Sequence, residues 1–182
     1  DMLSSKSLEK LIGISTIITI KRNDHFVKED DICGYIGIVK SGTLYSYFED
    51  SDADMLVNEL YSKQSIITSY RSFLHEIPSP AYIKAYSDAE IYAIEKKVYG
   101  ELMQYQEWAL IFKEISDELF TNKCFKETSL IKLKARERYL ALVQNRPRLE
   151  QDFPQHLIAS YLKIRPETLS RIKSLDLHQD HK

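Results

Sequence analysis

Cysteine is scarce in this sequence. Cys33 and Cys124 are the two present, far apart and in unrelated contexts. Two thiols cannot build a four-cysteine zinc or iron–sulfur site. As free thiols they behave as small, partly buried apolar groups. Glycine and proline are also thin, at five residues each. No glycine-rich phosphate loop, Ser-His-Asp or Cys-His arrangement, or metal-ligand spacing occurs, so the chain is not expected to be an enzyme. The acidic run Glu49–Asp54 lacks the glycine and the alternating oxygen ligands of a calcium loop, so no metal is expected there. Apolar runs such as Ile17–Ile18 and Ile66–Ile67 fall far short of the ~20 residues that span a bilayer. No basic, apolar leader opens the chain, where Asp1 precedes Met2. The expectation is a cytoplasmic protein with no membrane partner.

What is present fits one or two ordinary domains: 182 residues, 43 % apolar and 29 % charged. The net charge of −2 conceals an asymmetry. From Lys126 to Lys182, twelve Lys and Arg stand against seven Asp and Glu, whereas the rest of the chain has thirteen against twenty. A basic C-terminal third beside an acidic remainder suits a nucleic-acid-binding module joined to a separate domain.

Leu3 to Ile12 has the pattern of a short helix. Ser15 to Lys21 is β-branched and reads as a strand, with Asn23-Asp24 as a turn. Tyr35 to Lys40, the turn Ser41-Gly42 and Thr43 to Phe48 read as a hairpin. Met55 to Leu60 is another strand. Tyr82 to Tyr86 and Ile91 to Ile94 flank the turn Ser87-Asp88, and Pro78-Ser79-Pro80 is irregular. Short strands at even spacing with turn residues between them indicate a small antiparallel barrel or roll.

The texture changes after Gly100, with no Gly or Pro from Glu101 to Arg146. Leu102, Tyr105, Ala109, Phe112, Ser116 and Leu119 form one stripe at near-heptad spacing. Trp108, Ile111 and Ile115 form another. A helix apolar on two faces must bury both, one on the roll and the other on a two-fold copy of itself. The first stripe is therefore the expected dimer interface. Leu133-Lys134, where the apolar phase changes, is a hinge. Arg136 to Gln144 is a further helix, ended by Asn145-Arg146-Pro147.

Phe153 to Lys173 then reads as two short helices with a tight turn. Ile158, Ala159 and Leu162 face inward from the first, Ile164 lies in the turn, and Leu169 and Ile172 face inward from the second. Pro166 suits the first helical position. This is the packing pattern of a helix-turn-helix. Arg165, Glu167, Thr168, Ser170, Arg171 and Ser174 are left to meet base edges or phosphates. Lys163 stands where the turn usually has Gly, and a left-handed conformation there costs about 1 kcal/mol.

The order of roll, long helix and helix-turn-helix resembles the CRP/FNR family of bacterial transcription regulators over nearly the whole chain. Its most specific parts are Ile36-Gly37-Ile38-Val39-Lys40-Ser41-Gly42 and Ile158 to Ile172. IASYLKIRPETLSRI, with ERYLAL upstream, looks like the branch common in Bacteroidetes-type bacteria. The resemblance implies an α+β chain: a cyclic-nucleotide-binding-like β-roll (a jelly roll) at 1–96, a dimerisation helix and hinge at 97–133, and a helix-turn-helix at 134–182. It implies a homodimer that binds a pseudo-palindromic duplex DNA operator with the recognition helix 166–174 and regulates transcription, with RNA polymerase as a further partner. Glu167 and Arg171 sit at the family's base-reading positions; Pro166 replaces a third.

Cyclic-nucleotide binders of the family carry a Gly-Glu and an Arg-Ser/Thr-Ala. Here the matching positions are Thr68-Ser69 and Ser79-Pro80-Ala81. The ribose-binding carboxylate and the phosphate-binding guanidinium are both missing. Cyclic AMP is therefore not the expected effector, and there is either another small molecule or none. Tyr45, Tyr61, Tyr70, Arg71 and Tyr82 are candidates for an effector pocket. His25 and His75 are isolated and the cysteines unclustered, so no haem, iron–sulfur or other cofactor is expected. Leu175 to Lys182 is too short for the family's β-hairpin wing. The competing reading is a ligand-sensing or protein-interaction module with a degenerate DNA-binding domain.

Overall fold

A computed structural model describes residues 4–52 and 54–177. Helix α1 (Ser5–Ile14) opens it, two residues later than expected; Leu3 lies outside the described residues. The Ser4 hydroxyl caps α1 by accepting the Ser7 N–H at 3.1 Å. Eight strands follow: β1 (Thr16–Ile20), β2 (His25–Val27), β3 (Tyr35–Ser41), β4 (Leu44–Glu49), β5 (Met55–Tyr61), β6 (Ile66–Ile67), β7 (Tyr82–Ala85) and β8 (Ala89–Glu95). Helix α2 (Tyr70–His75) lies between β6 and β7. The rest is helical: α3 (Lys96–Leu102), α4 (Gln106–Lys132), α5 (Ala135–Asn145), α6 (Leu149–Asp152), α7 (Gln155–Tyr161) and α8 (Pro166–Leu177). The expectation of no wing concerns a segment whose last residues, 178–182, lie outside the described residues.

The strands form two four-stranded antiparallel sheets, ordered β1-β8-β3-β6 and β2-β7-β4-β5. Ile36 and Ile91 from one sheet and Leu44 and Ile83 from the other share a single core. The expected β3–β4 hairpin is not formed, because β3 pairs with β8 and β4 with β7. Gly42 makes the crossing between sheets with a left-handed φ of 81°. A Cβ there would lie 2.2 Å from the Asp88 carbonyl oxygen. The Ser87-Asp88 connection crosses alongside, with the Tyr86 N–H donating to the Thr43 carbonyl at 2.9 Å. Gly37 is equally constrained within β3, where a Cβ would meet Ile91 Cγ2 at 2.6 Å. The true hairpin joins β4 to β5 around the acidic loop. There the Asp50 carboxylate accepts the N–H groups of Asp52 and Asp54, both at 3.0 Å, which makes the loop a turn.

Strand β5 carries an irregularity that shapes the molecule. Ser46 opposes Glu59 and Tyr47 opposes Val57, leaving Asn58 unopposed. Val57 and Leu60, three apart, would face opposite sides of a regular strand. The bulge at Asn58 turns both to the outer side, where they are fully buried with Tyr139, Leu149, Phe153, Leu157 and Ile158 of the C-terminal helices. The Lys126 ammonium donates to the Asn58 carbonyl and, at 3.3 Å, to its Oδ1. The bulge is thus capped from α4.

The long helix differs from its expected form. α3 and α4 are separate, since Tyr105 is extended at φ −103°, ψ 126°. Leu102 ends α3, and Tyr105 is 65 % exposed in the break. The two apolar stripes merge into one broad face. Phe112, only 4 % exposed, is buried in the roll core with Ile111 and Ile115, while Leu102, Trp108 and Leu119 pack partly against it. At about 100° per residue, Ile111 and Phe112 are neighbours rather than opposites. Ala109 and Ser116 are half-buried at the edge of that face. The large apolar side chains that α4 leaves in solvent are Leu110, Phe120, Phe125 and Ile131, the last 83 % exposed.

Candidate nucleic-acid interface

Helices α7 and α8 meet through Leu157, Ile158, Ala159 and Leu162 on one and Leu169 and Ile172 on the other, all buried. The turn between them closes α7 with two hydrogen bonds, Ile164 N–H to the Ala159 carbonyl and Lys163 N–H to the Ser160 carbonyl, each 3.0 Å. This arrangement needs a left-handed residue after the helix. Lys163 takes it at φ 55°. Its ammonium group reaches the Val57 carbonyl on β5 at 2.8 Å. That bond offsets the backbone cost and accounts for a lysine at a glycine position.

Strand β5 positions the pair further. The Val57 N–H donates to Ser160 Oγ at 2.9 Å. Arg146 donates to the Leu60 carbonyl at 2.8 Å and to Glu59 at 3.1 Å. Lys126 and Arg146 sit over the Tyr161 ring at 4.6 and 6.0 Å. Burial pushes the Tyr161 hydroxyl well above the ordinary phenol range and pulls both Lys126 and Lys163 down. α5 is set by a two-residue break at Leu133-Lys134, both extended. There Glu137 accepts the Lys134 N–H at 2.7 Å.

With its inner face fixed, α8 presents Glu167, Ser170, Arg171 and Ser174 to solvent, and Arg165 is exposed just before it. Thr168 is half-buried. The Ser174 hydroxyl turns back to the Arg171 carbonyl at 2.9 Å. Lys173 leaves this face, pairing with Glu150 at 2.7 Å. Gln155 and His156 at the start of α7 border a groove with Pro166, Glu167 and Ser170. Their position behind Pro154, in the first turn of α7, was the available sequence signal for them.

The five candidate pocket residues do not come together. Tyr61 is buried in the roll core, whereas Tyr45 packs on the opposite side of its sheet against the C-terminal helices. Tyr82 stacks on Tyr47 with centroids 4.9 Å apart, Tyr70 lies against the roll core, and Arg71 is exposed. Tyr45 opposes Leu60, and alternation along β5 turns the next residue, Tyr61, to the other face of the sheet. The segments that match the family's phosphate cassette bond each other instead. Ser69 Oγ lies 2.8 Å from Ser79 Oγ, and Ser79 Oγ donates to the Ala81 carbonyl at 2.8 Å. Among the described residues, no group of three His, Cys, Asp or Glu could hold a metal, and no helix is long and apolar enough to cross a membrane.

No family model matches the sequence, and no curated protein does. Solved structures do share the fold. FixK2 from Bradyrhizobium japonicum is 17 % identical with a TM-score of 0.78, over 92 % of this chain and 86 % of that one. The cyclic-di-GMP-responsive global regulator CLP of Xanthomonas campestris is 16 % identical with a TM-score of 0.68, over 97 % and 93 %. The catabolite activator protein of Thermus thermophilus is 16 % identical with a TM-score of 0.61, over 98 % and 85 %. These are regulators of the CRP/FNR type, and at this identity the likeness is one of fold.

Proposed function

We propose that the chain is a homodimeric, sequence-specific DNA-binding transcription regulator of the CRP/FNR type. Its roll spans 1–96, its dimerisation helix and hinge 97–133 and its helix-turn-helix 134–182. The observation that carries this reading is the polarity of α8. Leu169 and Ile172 are buried, while Glu167, Ser170 and Arg171 face solvent on a helix fixed by its neighbours. α8 enters the major groove, where Arg171 binds guanine O6 and N7 and Glu167 accepts from a cytosine amino group. Arg165, Thr168 and Ser174 position it on the backbone and groove edges. Two copies read half-sites about 34 Å apart. Any effector is a molecule other than cyclic AMP. The reading places the chain beside the chromosome in the cytoplasm, with RNA polymerase as a further partner. The Bacteroidetes-type branch rests on the pattern from Ile158 to Ile172 alone.

The dimer seam is revised by the burial of Phe112. Leu110, Cys124 and Ile131 occupy one heptad position on the exposed side of α4, with Phe120 four residues before Cys124. These replace the first stripe as the surface for a second copy. The competing protein-interaction reading drew on the missing wing and on Lys163; the bond to Val57 accounts for Lys163.

The test is selection from a random duplex pool, followed by fluorescence anisotropy of the enriched sequence with the parent chain and Arg171→Ala. The expected outcome is a pseudo-palindrome whose affinity falls by about 1–3 kcal/mol, with one position per half-site relaxed, in the variant. A pool with no enrichment, or an Arg171→Ala variant with unchanged preference, overturns the reading.

A further inference from the structure

A cleft of about 1210 Å³ opens between the roll, α4 and the α5–α6 connection. Its charge is one-sided. Lys40, Lys63, Lys126, Arg138, Arg146 and Arg148 line it, against Glu59, Glu118 and Asp152. Lys40 is neutralised by Glu90 at 3.1 Å and Arg146 by Glu59 at 3.1 Å. The other cations are not matched in this way. Lys126 is held by the carbonyl and amide oxygens of Asn58. Arg138 donates to the Leu133 and Leu162 carbonyls at 2.8 and 3.1 Å, and its Nε is buried without a partner. Lys63 and Arg148 line the cleft with no carboxylate within ion-pair distance among the described residues. Cations gathered on carbonyls rather than carboxylates leave a site short of negative charge.

The wall also carries a ring. Phe125 is 55 % exposed and lines the same cleft. A large apolar side chain left in water among cations is a stacking platform for a planar group. Ligand pockets run to roughly 300–1,000 Å³, so this cleft admits a nucleotide-sized molecule together with water.

We infer that this cleft binds a small ligand carrying two or more phosphate charges next to a planar ring, a nucleoside polyphosphate in class. Lys63 and Arg148 take the phosphates and Phe125 the ring. The ligand would bridge the roll, α4 and the connection that leads into α7, so its occupancy biases how the C-terminal helices sit on β5. The site is separate from the roll interior and from the outward face of α8. It stands on the cleft itself and not on the DNA-binding reading.

The test is calorimetric titration of the full chain with ATP, pyrophosphate and adenosine. ATP is expected to bind saturably, pyrophosphate more weakly, and adenosine not at all up to millimolar concentration. Lys63→Ala combined with Arg148→Ala weakens ATP by about tenfold or more. Both residues are exposed, so circular dichroism of the double variant should match the parent. Phe125→Ala weakens ATP but leaves pyrophosphate unchanged. Arg171→Ala leaves both unchanged. The inference is overturned if neither ATP nor pyrophosphate binds, or if the double variant retains full affinity. It is also overturned if Arg171→Ala removes binding, since the polyanion would then occupy the outward face of α8. DNA selection is read independently, so failure of either proposal leaves the other standing.

Discussion

Lys163 combines a left-handed backbone with an ammonium bonded to the roll. The two effects are separable. Lys163→Met keeps the strained φ and loses the bond, so it should cost about 1–2 kcal/mol in urea unfolding. Lys163→Gly loses the same bond but relieves about 1 kcal/mol of strain, so it should fall near the parent. A Met variant as stable as the parent would mean that the tie contributes nothing. Tyr47 makes the second residue-scale prediction. Burial, with Tyr45 and Glu49 nearby, pushes its hydroxyl up to about 12. An unfolded phenol ionises near pH 10. The folded state therefore favours the neutral ring; this contribution is complete below about pH 10 and is lost as pH rises through about 12. Tyr47→Phe should flatten part of the stability loss between those values in thermal unfolding followed by circular dichroism. An identical slope would show that Tyr47 does not titrate as described.

At the scale of the element, α4 has two apolar sides with different tasks. Phe112→Ala should destabilise the chain by about 3–5 kcal/mol, because it empties a buried position against the roll. Leu110→Glu should leave the monomer folded and shift sedimentation from dimer to monomer, because Leu110 is exposed on the face proposed as the seam. The opposite pattern, dimer loss in Phe112→Ala without destabilisation, would restore the first stripe as the interface. Much of this segment was legible. The lack of Gly and Pro after Gly100 announced helix, and the extended pair Leu133-Lys134 falls where the apolar phase changes. The phase of α4 was not legible, since Phe112 and Leu110 are equally apolar and only the roll beneath decides which is covered. Likewise the Ile36-to-Gly42 motif announced a strand and turn, but not that Gly42 leads to a different sheet. That depends on Asp88, which closes over it.

For the whole molecule, Val57 and Leu60 of the roll are buried with the C-terminal helices in a shared core distinct from the roll's own. Calorimetry of the parent should show a single cooperative transition. Val57→Ser puts a hydroxyl in that shared core, and the transition should split as the roll and the helices uncouple. A variant that still unfolds in one step at lower temperature would show that other ties, such as Arg146 to β5, suffice. The helix pair within Phe153 to Lys173 was legible because its apolar spacing repeats within one or two helical turns. The five candidate pocket residues are dispersed because aromatic residues on neighbouring strands share a face only where the register sets them opposite each other; Tyr45 opposes Leu60, and Tyr61, one residue on, faces the other way.

The sequence by itself determined the local elements: strands from β-branched runs, turns from Gly42 and Ser87-Asp88, and the inward stripe of α7 and α8. Those features arise from neighbours a few residues apart. Tertiary structure alone decided which sheet each strand joined, which side of α4 was covered and where the unmatched cations gathered. Each of these is set by contacts between distant residues, as between Val57 and Ser160, separated by 103 positions and joined by a single hydrogen bond of 2.9 Å.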